Sequence, residues 1–145
     1  MIITENNKSL HFNIIGYQYP NSHSKNNKFD YDANWLICEI KYIEDDLCET
    51  YSNPCILTYE FEDLIDELSK VISEDDGGYI SEFMEPYLQI SISKVANKIL
   101  FVIHFVYEVS NNKWKKRKVS SLLEKEDAIQ ILDELKELQK LYPER

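Results

Sequence analysis

DYDANWLICEIKYIEDDLCETYSNPCILTYEFEDLIDE, residues 30–67, predicts two strands and a helix in direct succession. In its first part Leu36, Cys38 and Ile40 alternate with other side chains, and this period of two is typical of a half-buried strand. A carboxylate-rich turn at residues 44–46 then leads into a second strand at residues 49–57. The apolar side chains that follow recur at helical spacing and predict an amphipathic helix; they are Phe61, Leu64, Ile65, Leu68 and Ile72.

Outside this stretch the same two periodicities predict further strands and a second helix. Strands are expected at residues 10–18, 80–84, 88–93, 99–109 and 114–119. A final helix is expected at residues 124–142, and its apolar stripe consists of Ala128, Leu132, Leu135, Leu138, Leu141 and Tyr142. The order strands, helix, strands, helix predicts an α+β fold, a mainly antiparallel β-sheet with two amphipathic helices packed on it. We expect a single domain, residues 1–145.

Individual residues add signals for bulges, edges and helix starts. Gly16 within the first predicted strand indicates a bulge, and Pro54, which has no N–H to donate, places its strand at a sheet edge or interrupts it. Thr58 is expected to cap the first helix, and Ser121 with Glu124 matches a capping box for the second. Loops or turns are expected at residues 19–29, 76–78, 96–98 and 111–112.

Composition excludes several classes of protein. The chain of 145 residues is 43% hydrophobic with 3 Gly and 4 Pro, so it can build a core and does not resemble a disordered segment. No run approaches the roughly 20 apolar residues of a membrane span, and the N-terminal sequence lacks the pattern of a signal peptide. Three cysteines without CxxC spacing argue against a disulfide framework, and we expect a cytoplasmic protein.

Negative charge is concentrated in one third of the chain. The net charge is −10, and residues 39–87 hold 15 Asp/Glu against 2 Lys, whereas the rest holds 11 Asp/Glu against 14 Lys/Arg. An acidic chain repels nucleic-acid backbones, because binding them requires positive charge that displaces counterions. The asymmetry therefore favours a basic protein partner. The alternative is that acidic helix faces merely keep the protein soluble.

Candidate catalytic and metal-binding patterns fail on inspection, so we predict no catalytic residues, no metal site and no cofactor. Asp30, Asp32 and Asn34 have the first spacings of a calcium loop, but Trp35 stands where that loop needs Gly. These side chains are instead expected to cap the turn before the strand. The histidines have no metal-ligand spacing, and His104, flanked by apolar residues, is expected to be a hydrogen-bonded structural imidazole rather than a catalytic base.

A basic run, residues 113–118 with the sequence KWKKRK, stands out in the second half of the chain. Such a run could contact nucleic acid. More often it is a solvated edge strand, in which lysines prevent sheets from pairing with other chains. We therefore expect no direct binding of nucleic acid.

Several short motifs, in order along most of the chain, resemble the WapI-type immunity proteins of bacterial polymorphic toxin systems. They are GYQYP at residues 16–20, DYDANWL at 30–36, NPCILTYEF at 53–61, EPYL at 85–88 and LYPER at 141–145. The chain departs from the family pattern at Tyr51, where the family usually has Trp, and at residues 109–112, which replace a proline-containing stretch. The motif residues Trp35, Leu36, Leu57 and Phe61 are expected to be structural.

The resemblance implies a small cytoplasmic protein that binds and neutralises the C-terminal domain of a cognate toxin. Such toxins are commonly nucleases, whose substrate groove is basic, and a negative face would complement that groove. The candidate toxin-binding residues are Glu44, Asp45, Asp46, Glu62, Asp63, Asp66 and Glu67. Two alternatives remain open: a general acidic interaction module without a toxin, and a small-ligand binder or enzyme. A neighbouring toxin gene would favour the immunity protein over the general module. A deep pocket with convergent polar groups would favour the small-ligand binder or enzyme.

Overall fold

The computed structural model describes residues 1–23, 29–74, 77–111 and 113–145. Its strands are β1 (Ile2–Glu5), β2 (Lys8–Tyr17), β3 (Trp35–Glu44), β4 (Leu47–Leu57), β5 (Gly78–Ile80), β6 (Leu88–Val95), β7 (Lys98–Ser110) and β8 (Lys113–Leu123). Its helices are α1 (Tyr31–Asn34), α2 (Thr58–Ser73) and α3 (Lys125–Leu141). The α+β fold with antiparallel strands and two long helices is therefore confirmed.

The eight strands divide into two four-stranded sheets. One has the order β1-β2-β3-β4, the other has the order β5-β6-β7-β8, and all pairings are antiparallel. A long helix follows each sheet, α2 after the first and α3 after the second, and the two helices pack on each other. The sequence predicted a single sheet, whereas the structure has two. Each has four strands and is followed by a long helix.

Hydrophobic periodicity accounts for the sides that these elements bury. In β3, Leu36, Cys38 and Ile40 are buried and the intervening residues are not, as the alternation predicts. All five predicted stripe residues of α2 are buried, together with Val71. Of the four motif residues expected to be structural, Leu36, Leu57 and Phe61 are fully buried, whereas Trp35 is only partly buried.

Edges and bulges also follow the local signals. The register of β2 against β3 shifts between Ile14 and Gly16, which confirms the bulge. Pro54 lies in β4, an edge strand, and the β3–β4 register shifts beside it. The side chain of Asp30 accepts a 3.0 Å hydrogen bond from the backbone N–H of Asp32, so it caps α1 as expected.

Helix starts and short strands are where the expectations were wrong. Leu57, not Thr58, occupies the N-cap of α2, and Ser121 lies inside β8 while Glu124 is the N-cap of α3. The first strand, β1, was missed, and β5 covers residues 78–80 instead of 80–84. Leu141 is 69% exposed because α3 ends there. Of the expected loops and turns, residues 24–28, 76 and 112 lie outside the described residues.

Arg117 connects the two sheets. It belongs to β8, but its guanidinium donates to Glu49 Oε2 at 2.6 Å and to the Tyr51 hydroxyl at 3.1 Å, both on β4. It also stacks over the rings of Tyr42, at 4.7 Å, and Tyr107, at 4.4 Å from each centroid. Its positive charge is therefore held between aromatic faces and a carboxylate in the seam between the sheets.

Replacing Arg117 by alanine should lower the free energy of unfolding by about 1–3 kcal/mol, through lost cation–π contacts, lost stem packing and the lost hydrogen bond to the Tyr51 hydroxyl. Urea unfolding followed by circular dichroism measures this. Alanine at the neighbouring Lys116, which is exposed, is the control and should change stability by less than about 0.5 kcal/mol. Equal effects of the two substitutions would show that the seam contact adds no stability.

Candidate functional site

The four acidic residues predicted on the first helix lie on α2, but they divide between two surfaces. Glu62 and Asp66 face α3, where they line an open groove with Asp133, Lys136 and Lys140 among others. Asp63 and Glu67 face the segment around residues 79–83 on the other side of α2. The two lysines on the α3 side offset part of its negative charge, whereas the lining of the other side has four carboxylates and no lysine.

The carboxylates of the β3–β4 turn lie elsewhere. The turn is at one end of β4, and α2 starts at the other end. Glu44 accepts from the Tyr42 hydroxyl at 2.6 Å and pairs with Lys8 at 3.6 Å. Asp45, in the left-handed region at φ 50°, accepts from Asn7 Nδ2 at 2.9 Å. Glu44 and Asp45 thus contact β2 and the β1–β2 turn, while Asp46 is exposed.

Between α2 and the segment after it lies an open groove of about 510 Å³, which we call the acidic groove. It is formed by the solvent-facing side of α2 on one side and by β5 with the segment that follows it on the other. Four of its lining residues are carboxylates and three are aromatic; the lining residues are Tyr59, Glu60, Asp63, Glu67, Tyr79, Ile80, Glu82 and Phe83.

Glu60 forms the floor of this groove and ties its two sides together. It is 7% exposed, and its carboxylate accepts from Leu57 N–H at 2.8 Å and from Met84 N–H at 2.6 Å. Burial raises the pKa of this carboxyl, while the two backbone N–H donors lower it. The sequence did not single out Glu60 as a site residue. The contact that gives Glu60 its place is the hydrogen bond from Met84 N–H, and no local pattern indicates it because the two residues are 24 positions apart.

Negative potential in the groove is visible at its tyrosines. Burial, and after it the nearby carboxylates of Asp63, Glu67, Glu60 and Glu82, together raise the pKa of Tyr79 to about 12. Lys70 pairs with Glu67 one turn along α2, but this ion pair lies at the surface, where solvent screens it. The groove therefore keeps an excess of negative charge available to a partner.

Aromatic residues continue from the groove onto the adjoining surface. Phe29 stacks edge-to-face on Tyr31 at 5.1 Å and on Tyr59 at 5.4 Å between ring centroids. Tyr31 is 52% exposed and Phe29 is 37% exposed, so these rings are available for contact. Met84, 53% exposed, lies next to the groove segment. A charged groove bordered by exposed aromatic side chains has the composition of a protein-binding surface.

Other candidate chemistry is sparse. Among the described residues no group of three His, Cys, Asp or Glu side chains is arranged to hold a metal ion. Cys38 and Cys55 are buried thiols and Cys48 is an exposed one. The expectation of a hydrogen-bonded His104 was wrong: its Nδ1 is buried and has no partner in the described part of the chain. Burial and the nearby Lys118 and Lys116 lower the pKa of this imidazole.

Comparison with known proteins gives one family and two structural likenesses. The model of the immunity protein WapI-like family matches residues 1–143. The plant transcriptional regulator PBF-2 has 8% identity and a TM-score of 0.49, over 98% of this chain and 80% of that one. WHY3 from Arabidopsis thaliana has 7% identity and a TM-score of 0.45, over 98% and 86%. No curated protein matches the sequence significantly. Within the described ranges, no helix is long and apolar enough to cross a membrane.

Proposed function

The chain belongs to the immunity protein WapI-like family, and from that premise we propose that it binds and neutralises the C-terminal domain of a cognate polymorphic toxin, a basic nuclease, in the cytoplasm. Family membership supports the immunity role. The partner's chemistry is inferred from charge. The acidic groove is the proposed contact, with the exposed aromatic residues beside it.

The observation that carries this proposal is the meeting of four carboxylates with three aromatic rings in one open groove. A groove of this kind matches the side chains of Lys and Arg. Their charged heads pair with carboxylates, and their stems or planar guanidinium groups lie against aromatic rings. A toxin segment rich in these residues would fill the groove without leaving a buried charge unpaired.

Nucleases offer such segments, because a phosphodiester substrate requires a positively charged binding groove. An acidic inhibitor is steered toward that groove by long-range attraction, which raises association rates by roughly 10–10³-fold at low ionic strength. It also covers the surface that the substrate needs. Neutralisation by occlusion therefore requires no chemistry from the immunity protein itself.

Of the seven predicted residues, Asp63 and Glu67 line the acidic groove and remain the strongest candidates. Glu62 and Asp66 face α3, and the turn residues at 44–46 lie at the other end of β4. To the predicted set we add Glu82, which faces Asp63 and Glu67 across the groove from the segment after β5. Tyr79 and Phe83 supply the aromatic walls.

Co-expression tests the proposal directly. The C-terminal domain of the toxin encoded beside this gene is induced in a bacterial host with and without the chain, and growth is followed. We expect growth arrest without the chain, full growth with it, and co-purification of a one-to-one complex. Growth arrest despite a well-expressed chain, together with no complex on gel filtration, would refute the immunity function. A complex with a non-toxic basic protein would instead favour a general interaction module.

A further inference from the structure

The second sheet has an outer face that the helices leave open. On β7, Phe101, Ile103 and Phe105 are buried, so their neighbours Val102 and His104 point to the opposite, outer side. Cross-strand pairing extends this outer face over three strands. Gln89 on β6, His104 on β7 and Lys118 on β8 are paired side by side across the three strands. In the neighbouring pair, Lys116 on β8 lies opposite Val106 on β7.

Lysines give this face a local positive charge. Arg117 points inward to the seam, and Lys115 pairs with Glu108 at 2.8 Å. Lys116 and Lys118 are exposed on the outer face and have no ion-pair partner among the described residues. They therefore stand as two cations without a direct ion pair, two residues apart on an edge strand and roughly 7 Å from one another. Glu5 lies near Lys118: hydrogen bonds from Ser120, and also the charge of Lys118, lower the pKa of its carboxyl.

A slot with aromatic walls is linked to this strand through Trp114, which precedes Lys116 by two residues on β8. Gln18, Trp35, Asn53, Pro54, Glu85 and Tyr87 line an open groove of about 260 Å³, which we call the aromatic slot. Behind it the Tyr87 ring stacks on Trp114, with centroids 5.3 Å apart and planes at 25°. Sites for drug-sized ligands occupy roughly 300–1,000 Å³, so this slot suits one small planar group.

We propose that this face binds single-stranded nucleic acid, with one unpaired base in the aromatic slot and its flanking phosphates on Lys116 and Lys118. A base is planar and stacks on aromatic side chains. The carboxamides of Gln18 and Asn53 and the carboxylate of Glu85 present donors and acceptors suited to a base edge. The lysines supply the charge for the backbone.

The net charge of −10 does not prevent this interaction. Glu85 is the one carboxylate that lines the slot, whereas Lys116 and Lys118 belong to the part of the chain that has more cations than anions. At physiological ionic strength charges are screened beyond about 8 Å, so a bound phosphate responds mainly to the lysines beside it. Weak, salt-dependent binding is therefore the expected behaviour.

An acidic extended peptide is the competing occupant, because β8 is an edge strand with lysines on it. Such a peptide would use the lysines and the strand edge but would leave the aromatic slot empty. The slot and its carboxamides favour a nucleobase. The inference does not depend on the toxin, so its failure would leave the proposed immunity function standing.

Intrinsic fluorescence provides the experiment, since the chain has two tryptophans and both border this site: Trp35 lines the slot, and Trp114 stacks behind it. Oligouridylate and oligothymidylate of twelve nucleotides are titrated at low salt, with poly-glutamate as the acidic-polymer arm. We expect saturable quenching by either oligonucleotide, a smaller or absent response to poly-glutamate, and affinity that falls with salt.

Charge reversal then locates the site. The double variant Lys116→Glu and Lys118→Glu should weaken binding roughly tenfold or more and reduce the slope of log affinity against log salt by about 1.4, or about 0.7 per lost phosphate contact. The matched control reverses Lys136 and Lys140 on α3 and should bind like the parent. No saturable quenching, equal loss in both variants, or equally tight binding and quenching by poly-glutamate would each overturn the proposal.

Discussion

Reversing the charges of Asp63, Glu67 and Glu82 to lysine should slow association with the toxin domain at least tenfold at low salt and abolish protection in the growth assay. The three side chains lie on two sides of the acidic groove, so the change converts its negative potential into a positive one. Steered association rates rise by roughly 10–10³-fold over unsteered ones, and repulsion removes that gain. The loss should shrink as salt is added.

The fold should tolerate these substitutions. Asp63 and Glu82 are exposed and Glu67 is partly exposed, whereas the structural carboxylate of the groove, Glu60, is left in place to hold Leu57 and Met84. Unfolding curves of the variant and the parent should therefore agree to within about 1 kcal/mol. Stopped-flow association with the purified toxin domain at two salt concentrations gives the rate constants.

The turn residues supply a matched control with the same change in charge. Lysine at Glu44, Asp45 and Asp46 places three reversed charges at the other end of β4, and we expect a much smaller effect on the rate. If the turn variant were the defective one, the toxin contact would lie at the turn and not at the groove. If both variants protected normally, the acidic-surface contact would be wrong although the immunity function could stand.

Replacing Asn34 by alanine should lower the free energy of unfolding by about 2–4 kcal/mol. Asn34 is completely buried, and its side chain uses all four of its hydrogen-bonding positions. Nδ2 donates to the carbonyls of Asp30, at 2.9 Å, and Arg145, at 3.1 Å. Oδ1 accepts from the Thr58 hydroxyl at 3.0 Å and from Arg145 N–H at 2.9 Å. One side chain therefore joins the turn before β3, the start of α2 and residue 145.

Truncation at this position leaves several buried polar groups unpaired at once, which is why the effect exceeds that of a single hydrogen bond. Urea unfolding with an unchanged m-value measures it. Thr58→Val removes one of the four bonds and nearly conserves side-chain volume, so it should cost about 1 kcal/mol. A loss below 1 kcal/mol for the alanine variant would show that water replaces the network and that Asn34 is not a structural junction.

Local sequence signals were sufficient for most of the long elements. The α2 stripe, the alternation in β3 and β6 and the bulge at Gly16 all follow from residue spacing and backbone preference, which act over a few neighbouring residues. The caps were predicted less well. Thr58 and Ser121 are good capping residues by type, but Thr58 donates to Asn34 and Ser121 continues β8, because tertiary pairing outweighed a local preference.

Short elements and sheet membership depended on distant partners. β1 has only four residues and is defined by its register with β2, so its own sequence contains too little periodicity to predict it. Likewise, the division of eight strands into two sheets follows from pairing between strands and from the Arg117 contact across the seam, which no local pattern encodes.

For function, the sequence by itself determined the family resemblance, the concentration of carboxylates in residues 39–87 and their placement on the solvent side of an amphipathic helix. Those are properties of composition and of helical period. The tertiary structure alone decided which carboxylates share a surface. It set Asp63 and Glu67 opposite Glu82 across a groove, turned Glu62 and Asp66 toward α3, and left the 44–46 turn at the far end of β4. The physical reason is that the groove closes through the Glu60–Met84 hydrogen bond between segments 24 residues apart, a contact that local spacing cannot specify.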